Sequence, residues 1–172
     1  MSLHDPTVFQ ISKMLRNLEG WLDKAAEYAK SREFDPEVLL QARLYPDQFP
    51  LVRQIQAACD AAKAGAARLA GIEAPSHPDT ETTLAEVRER IAKTLAFLES
   101  ITPEKLEGAE SREIALPFLP DNQRIKGADY VTEMGTPNFY FHVITAYAIL
   151  RHNGVNVGKR DFIGSMRLFE TT

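Results

Sequence analysis

Apolar residues recur near the start of the chain in steps of three and four, which is the spacing of an amphipathic helix. The series consists of Val8, Ile11, Leu15, Leu18, Leu22, Ala25 and Ala29. Asp5 and Pro6 precede it, and this order predicts the helix start because aspartate caps free amides and proline fits the first helical position. Beside the series, Met14, Trp21 and Tyr28 recur every seventh residue. Core packing is the favoured interpretation of this row, and a pocket wall formed by Trp21 and Tyr28 is the alternative.

Two further segments show the same periodicity. The second helix is predicted from Leu51 to Leu69 and consists mostly of small residues, which let a neighbouring helix approach closely. Gly65 lies inside it, and a tight helix crossing there is the expected compensation for the low helix propensity of glycine. The third helix is predicted over residues 84–98, with Asp79 or Thr80 as its cap.

The segment before the last helix has a different periodicity. Ile114, Leu116 and Phe118 alternate with other residues, which is the pattern of a β-strand. A turn at residues 120–122 follows, and residues 125–131 are predicted to return as a second strand. The sequence therefore predicts a small β-hairpin inserted before the fourth helix, and the length of this connection favours a bundle with a crossover.

The last long helix is predicted over residues 137–154, with Thr136 as its cap and Gly154 as its stop. Its apolar stripe consists of Phe139, Val143, Ala146 and Leu150. His142 lies beside that stripe, so its imidazole should be partly buried and needs a hydrogen-bond partner. Together these patterns predict a mainly α-helical protein, a four-helix bundle that forms one domain over residues 1–172.

His142 is the candidate catalytic residue because it is the one histidine predicted in the middle of a helix. It would act as a metal-free general base or as a donor to a bound anion, with Tyr130, Asn138 or Tyr147 as its partner. A core histidine with satisfied hydrogen bonds is the simpler interpretation. The candidate ligand-binding residues are Trp21, Tyr28, Tyr130, Asn138, His142, Tyr147 and Arg151.

Basic residues cluster around the end of the last helix, where cations favour the negative pole of the helix dipole. They are Arg151, His152, Lys159 and Arg160. Helix capping and an ion pair with Asp161 explain them, and binding of an anion is the alternative. Asp23 and Asp60 fall opposite the apolar stripes of their helices, so both are expected on the solvated surface.

Charge and composition narrow the function classes. The formal net charge of -4 provides no basic face, so we expect no nucleic-acid partner. The first residues show neither a basic leader nor an apolar run, and the longest uncharged helical stretch, residues 139–150, is too short to span a bilayer. We therefore expect a cytoplasmic protein without a membrane partner. The single cysteine, Cys59, fits a reducing compartment and is expected to be a small packed residue.

Several of these features together resemble the DinB/YfiT-like superfamily, and more narrowly a branch known only as a domain of unknown function. The resemblance is carried by the Tyr-Pro-Asp-Gln-Phe-Pro corner at residues 45–50, by Arg-Leu-Ala-Gly at residues 68–71 and by the last helix with its continuation to Phe162. It covers nearly the whole chain. It implies a DinB-like four-helix bundle, and it implies relatives that include metal-dependent enzymes, among them thiol transferases and an isomerase that use low-molecular-weight thiols.

The metal pattern of those relatives has one histidine on the second helix and two histidines four residues apart on the fourth. Here Asn138 and Ala146 lie four residues from His142, and the second helix contains no histidine. We therefore predict no metal ligands and no cofactor. A divalent metal held by one histidine and scattered oxygens is kept as an alternative, although such a site would be weak and open.

Two hypotheses on function follow. The first is a homodimeric bundle that binds a small molecule or has no catalytic role, because the metal set is missing and the helices are rich in apolar and aromatic residues. The second is an enzyme of the thiol-transferase or metal-dependent type that uses His142. The second hypothesis rests on analogy of fold.

Overall fold

The structure is a computed structural model that describes residues 2–171. The α-helices are α1 (Gln10–Ser31), α2 (Leu51–Ala70), α3 (Leu84–Glu99), α4 (Gly127–Asp129), α5 (Thr136–His152) and α6 (Lys159–Ile163). Two π-helical turns, Asp5–Phe9 and Tyr130–Gly135, precede α1 and α5. Three 3-10 turns lie at Pro36–Gln41, Pro103–Leu106 and Ala109–Ser111. Strands β1 (Glu113–Ile114) and β2 (Ile125–Lys126) pair antiparallel. The predicted mainly α-helical bundle with a small hairpin is confirmed.

Side-chain contacts between helices give the direction of each helix. Helix α5 runs antiparallel to α2. His142 bonds Gln54 near the start of α2, whereas Tyr130, which precedes α5, bonds Arg68 near the end of α2. Helix α3 runs antiparallel to α1, because Arg16 meets Glu99 whereas Arg88 meets Asp23.

Helix α5 runs parallel to α1, because Gln10 bonds Tyr140 whereas Trp21 packs on Tyr147. In chain order, the long helices α1, α2, α3 and α5 therefore run up, down, down and up. Helices α2 and α3 run the same way, so residues 71–83 must cross the length of the bundle. The crossover exists as predicted, but it joins the second and third helices rather than the third and fourth.

Buried cations hold the crossover against the bundle. Lys63 donates to the carbonyl oxygen of Pro75 at 3.0 Å, and Arg90 donates to that of Pro78 at 3.1 Å. Both side chains are almost fully buried. An extended loop cannot pair its own carbonyls, so these cations supply the missing donors. Asp60 lies 3.0 Å from Lys63 and 2.8 Å from Arg90. Its side chain is 48% exposed, so it lies at the surface as expected, but it also pairs with these two buried cations.

The fourth bundle helix begins earlier than the sequence predicted. The backbone is helical from Gly127 onward, and Gly135 already has right-handed helical angles, so Thr136 does not act as a cap. A π-helical turn ends at Gly135, two residues before Pro137, and this proline removes one hydrogen-bond donor from the helix. The second predicted strand is accordingly wrong beyond Lys126, because the chain turns into helix at the next residue.

Helix α3 is capped by a different residue from those predicted. Thr83 accepts a hydrogen bond from the amide of Glu86, and the Glu86 carboxylate accepts from the amide of Thr83. This capping box satisfies two of the free amides of the first turn. Asp79 instead pairs with Arg53 and Arg90.

The buried apolar side chains form one core cluster, to which all four long helices contribute. Trp21, Phe139 and Leu22 are among its fully buried members. Cys59 is also fully buried, as expected, and burial raises the pKa of its thiol to about 12. Within residues 2–171, no helix has the length and apolar composition needed to cross a membrane.

Candidate functional site

His142 lies on α5 and faces the N-terminal turn of α2. Its Nδ1 is 2.8 Å from the side-chain oxygen of Gln54, which is 2% exposed. The partner of His142 is therefore Gln54, and Tyr130, Asn138 and Tyr147, which the sequence suggested for this role, are not bonded to it within the described chain.

The orientation of the Gln54 amide fixes the proton on His142. The Gln54 amide nitrogen donates to the carbonyl oxygen of Phe49 at 3.3 Å, so its oxygen must face the imidazole. An amide oxygen only accepts hydrogen bonds, and Nδ1 of His142 must therefore carry a proton. Burial also lowers the pKa of His142, which favours the neutral ring. In that ring the lone pair lies on Nε2, the nitrogen that an external group can reach.

An exposed aromatic ring lies against this histidine. The Phe141 ring, which is 57% exposed, has its centroid 5.3 Å from that of His142. Ile144 on the same helix and Phe49, whose carbonyl orients Gln54, are each 50% exposed. The surface at His142 thus combines one hydrogen-bond acceptor with an exposed aromatic ring.

Trp21 and Tyr147 lie together, away from His142. The Trp21 ring stacks on Phe162 with a centroid distance of 5.6 Å and meets Tyr147 edge-on at 5.5 Å. Its indole nitrogen donates to the carbonyl oxygen of Asp161 at 3.1 Å. These contacts hold α6 against α1, so Trp21 is packed and hydrogen-bonded within the protein, as core packing predicts.

The remaining predicted ligand residues are dispersed. Tyr28 is half-buried and lines a groove of about 320 Å³ beside Asn156. Tyr130 is buried, and its hydroxyl accepts a hydrogen bond from Arg68 at 3.1 Å. Asn138 is half-buried one helical turn before His142, whereas Arg151 is exposed near the end of α5. The fold therefore brings only Asn138 close to His142 along the helix, and binding by the others stays a prediction.

Asp161 does not pair with the basic cluster at the end of α5. It forms an ion pair with Lys24 of α1 at 2.7 Å and accepts from the amide of Gly158 at 2.8 Å. These bonds lower the pKa of the Asp161 carboxyl, the hydrogen bond from Lys24 most strongly. The expected pairing of Asp161 with its neighbours in sequence is therefore corrected.

The donors around His142 do not fit the three-imidazole metal centre that the resemblance implies. Gln54 occupies the position on the second helix that faces His142, and its oxygen is engaged with the imidazole. Over residues 2–171, no three histidine, cysteine, aspartate or glutamate side chains converge as metal ligands. An amide with one histidine is a poor donor set for a transition metal.

Comparison with known proteins assigns the family. The model of the family described as "Domain of unknown function (DUF1993)" matches residues 3–163. The chain belongs to the DUF1993 family. A search of curated proteins gave no match.

This DUF1993 chain is also similar to a solved structure described as a DinB family member protein from Shewanella denitrificans. The two are 47% identical, the match covers 98% of this chain and 96% of that one, and the TM-score is 0.94. The resemblance to DinB-like proteins that the sequence indicated is confirmed.

Sequence reasoning missed Gln54. A glutamine among apolar residues near a helix start carries little information, because its burial depends on which helix packs against it. The useful signal was the pair of glutamines near the start of the second helix, Gln54 and Gln56, both of which the structure buries. A buried amide needs partners, so each indicates a polar contact with another segment.

Proposed function

We propose that this DUF1993 protein is a homodimeric bundle of the cytoplasm that binds a small molecule beside His142 and has no catalytic metal. The observation that supports this proposal is the hydrogen bond from His142 to Gln54. It uses one ring nitrogen for the fold and leaves the other as an acceptor for a ligand.

The chemistry of the surface suggests the kind of ligand. A neutral imidazole with its lone pair on Nε2 accepts one hydrogen bond, and the exposed Phe141 ring beside it offers apolar contact. An aromatic molecule with one hydroxyl or N–H group matches both features. Such a ligand would lie against the Phe141 ring and donate a hydrogen bond to Nε2.

Phenol and indole test this proposal, with toluene as a matched probe that has no donor. In an NMR titration we expect saturable shifts of the His142 ring signals with phenol and indole, and weaker shifts with toluene. Replacing His142 by Phe should abolish the preference for donor-bearing probes, whereas His152→Phe on the exposed end of α5 should leave it unchanged. Equal binding of all three probes would contradict the proposal.

The homodimer would use the exposed apolar side of α5. Phe141 and Ile144 are three residues apart and lie on one face of the helix, and each exposes half or more of its surface. Light scattering at micromolar concentration should show a dimer that Ile144→Glu converts to a monomer. The control is Val38→Glu, which changes another exposed apolar residue. A monomeric wild-type protein would contradict a homodimer.

A second candidate function is favoured by the same ring nitrogen. A neutral histidine with a free Nε2 is the form required of a general base, so His142 could activate a thiol without a metal ion. This enzyme would have thiol-dependent transferase activity. If His142→Ala lowered stability but left the affinity for thiols and other ligands unchanged, we would reject this candidate.

A further inference from the structure

A groove lies between the crossover and α3. It encloses about 220 Å³. Its floor is Arg90, its α3 wall carries Glu86, Glu89 and Lys93, and its crossover wall carries His77 and Thr80. The four α3 residues follow the spacing of one helix face, and the loop covers that face.

Arg90 is bound by the protein at all but one of its nitrogens. Its two terminal nitrogens meet Asp60 at 2.8 Å, Asp79 at 3.0 Å and Glu81 at 3.0 Å. The side chain is only 1% exposed, yet its Nε has no hydrogen-bond partner within the described chain. A buried N–H without a partner costs free energy, so this donor calls for an acceptor from outside the chain.

His77 lines the same groove and has a ring nitrogen that is unpartnered in the described chain. Its Nδ1 is buried and has no partner among residues 2–171. Burial, followed by the nearby positive charges of Lys63 and Arg90, lowers the pKa of His77. The imidazole is therefore neutral at pH 7, and it can exchange one hydrogen bond with a ligand at this nitrogen.

The charges around the groove disfavour an anion. Three carboxylates already neutralise the guanidinium, and Glu86 and Glu89 add two more to the walls. Lys93 is itself paired with Glu89 at 2.7 Å. A further negative charge would be repelled by these carboxylates. A cation would satisfy the walls but would leave the Arg90 donor without an acceptor.

We infer that this groove binds a neutral hydroxylated small molecule, of the polyol or monosaccharide class. A hydroxyl oxygen accepts from Nε–H of Arg90, and its proton goes to Nδ1 of His77 or to a wall carboxylate. Neighbouring hydroxyls reach Glu86, Glu89 and Thr80. The volume of about 220 Å³ suits a ligand smaller than those of drug-sized pockets, which enclose about 300–1,000 Å³.

Glycerol, myo-inositol and D-glucose test this inference, with acetate and phosphate as anionic probes. NMR of the full chain would follow the Nε–H signal of Arg90 during each titration. We expect a saturable shift with at least one of the three neutral probes and none with the anions. His77→Ala should weaken that binding about tenfold, the scale of one hydrogen bond, and the matched variant His152→Ala should not.

Two results would overturn the inference. Binding of acetate or phosphate as tight as that of the neutral probes would show an anion site. No shift of the Arg90 Nε–H signal with any probe would show that only a water molecule meets this donor. If His77→Ala failed to fold, Glu89→Ala, which changes an exposed wall residue, would serve instead with the same expected loss. His142 is not among the residues that line this groove, so either site can fail in these titrations without the other.

Discussion

Gln54 sets the protonation state of His142 through the orientation of its amide, and this can be tested with one substitution. Gln54→Glu places a carboxylate beside Nδ1, and an opposite charge at this distance favours the charged imidazole. We expect the pKa of His142 to rise above the wild-type value in an NMR titration of the ring signals. Gln41→Glu, at an exposed position, should leave that pKa unchanged. An unaltered pKa in Gln54→Glu would show that the two side chains do not meet.

His142 also makes the stability of the protein depend on pH. Burial lowers its pKa in the folded state, whereas the unfolded value is about 6.5. The unfolded chain therefore binds a proton first, and stability is lost as pH falls below about 6.5 toward the folded pKa. In urea unfolding between pH 5 and 8, His142→Gln should lose less stability on acidification than the wild type.

The exposed His152 provides the control for that experiment, because His152→Gln should follow the wild-type pH dependence. Part of the loss should remain in His142→Gln, since burial lowers the pKa of His77 in the same direction. If the wild type and His142→Gln lost stability equally on acidification, burial would not lower the pKa of His142.

At the scale of the elements, two glycines in helices should respond oppositely to substitution. A methyl group on Gly65 would lie 3.7 Å from the Tyr130 hydroxyl, an ordinary contact, whereas one on Gly127 would clash with the carbonyl oxygen of Ala109. Gly65→Ala should stabilise the protein by up to about 1 kcal/mol through helix propensity. Gly127→Ala should destabilise it, because a backbone oxygen cannot move aside cheaply. Denaturant unfolding measures both changes in stability. A destabilised Gly65→Ala would support the tight helix crossing at Gly65 that the sequence predicted.

The crossover depends on Arg90 more than on any surface ion pair. Arg90→Met removes the cation that Asp60, Asp79 and Glu81 share. Asp60 and Asp79 are 48% and 37% exposed, so water replaces part of their interaction. Most of the loss therefore comes from Glu81, which is 10% exposed, and we expect about 1–3 kcal/mol. Arg16→Met removes an exposed pair with Glu99 and should cost about 1 kcal/mol or less. Urea unfolding of the two variants compares them. Equal losses would mean that the crossover is held by its apolar contacts instead.

Periodicity predicted the long helices well because the residues that repeat are those that pack, as Leu15, Ile55 and Ile91 do. Helix starts were less predictable. Thr83 and Thr80 are equally good caps by residue type, and only the position of Glu86 distinguishes them. Thr136 has the residue type of a cap but continues a helix, because the chain before it is already helical.

At the scale of the whole molecule, contacts between segments distant in sequence determine the helix directions and the side-chain partners that the sequence did not predict. Loop lengths gave no helix directions, so the crossover was assigned to the wrong connection. Asp60 faces away from the stripe of its own helix, but Arg90 of another helix reaches it. The partner of His142 was missed for the same reason, since Gln54 is 88 residues away in sequence. The family was predictable, because its motifs are local.

Metal affinity tests most directly whether His142 works without a metal ion. The experiment is the metal content of the untagged protein, followed by calorimetric titration of zinc, nickel and manganese into wild type, His142→Ala and the control His152→Ala. We expect no stoichiometric binding that depends on His142, because its fold-facing nitrogen is bonded to Gln54 and no second histidine lies four residues away. Stoichiometric binding that is lost in His142→Ala and kept in His152→Ala would contradict this and favour a metal-dependent enzyme.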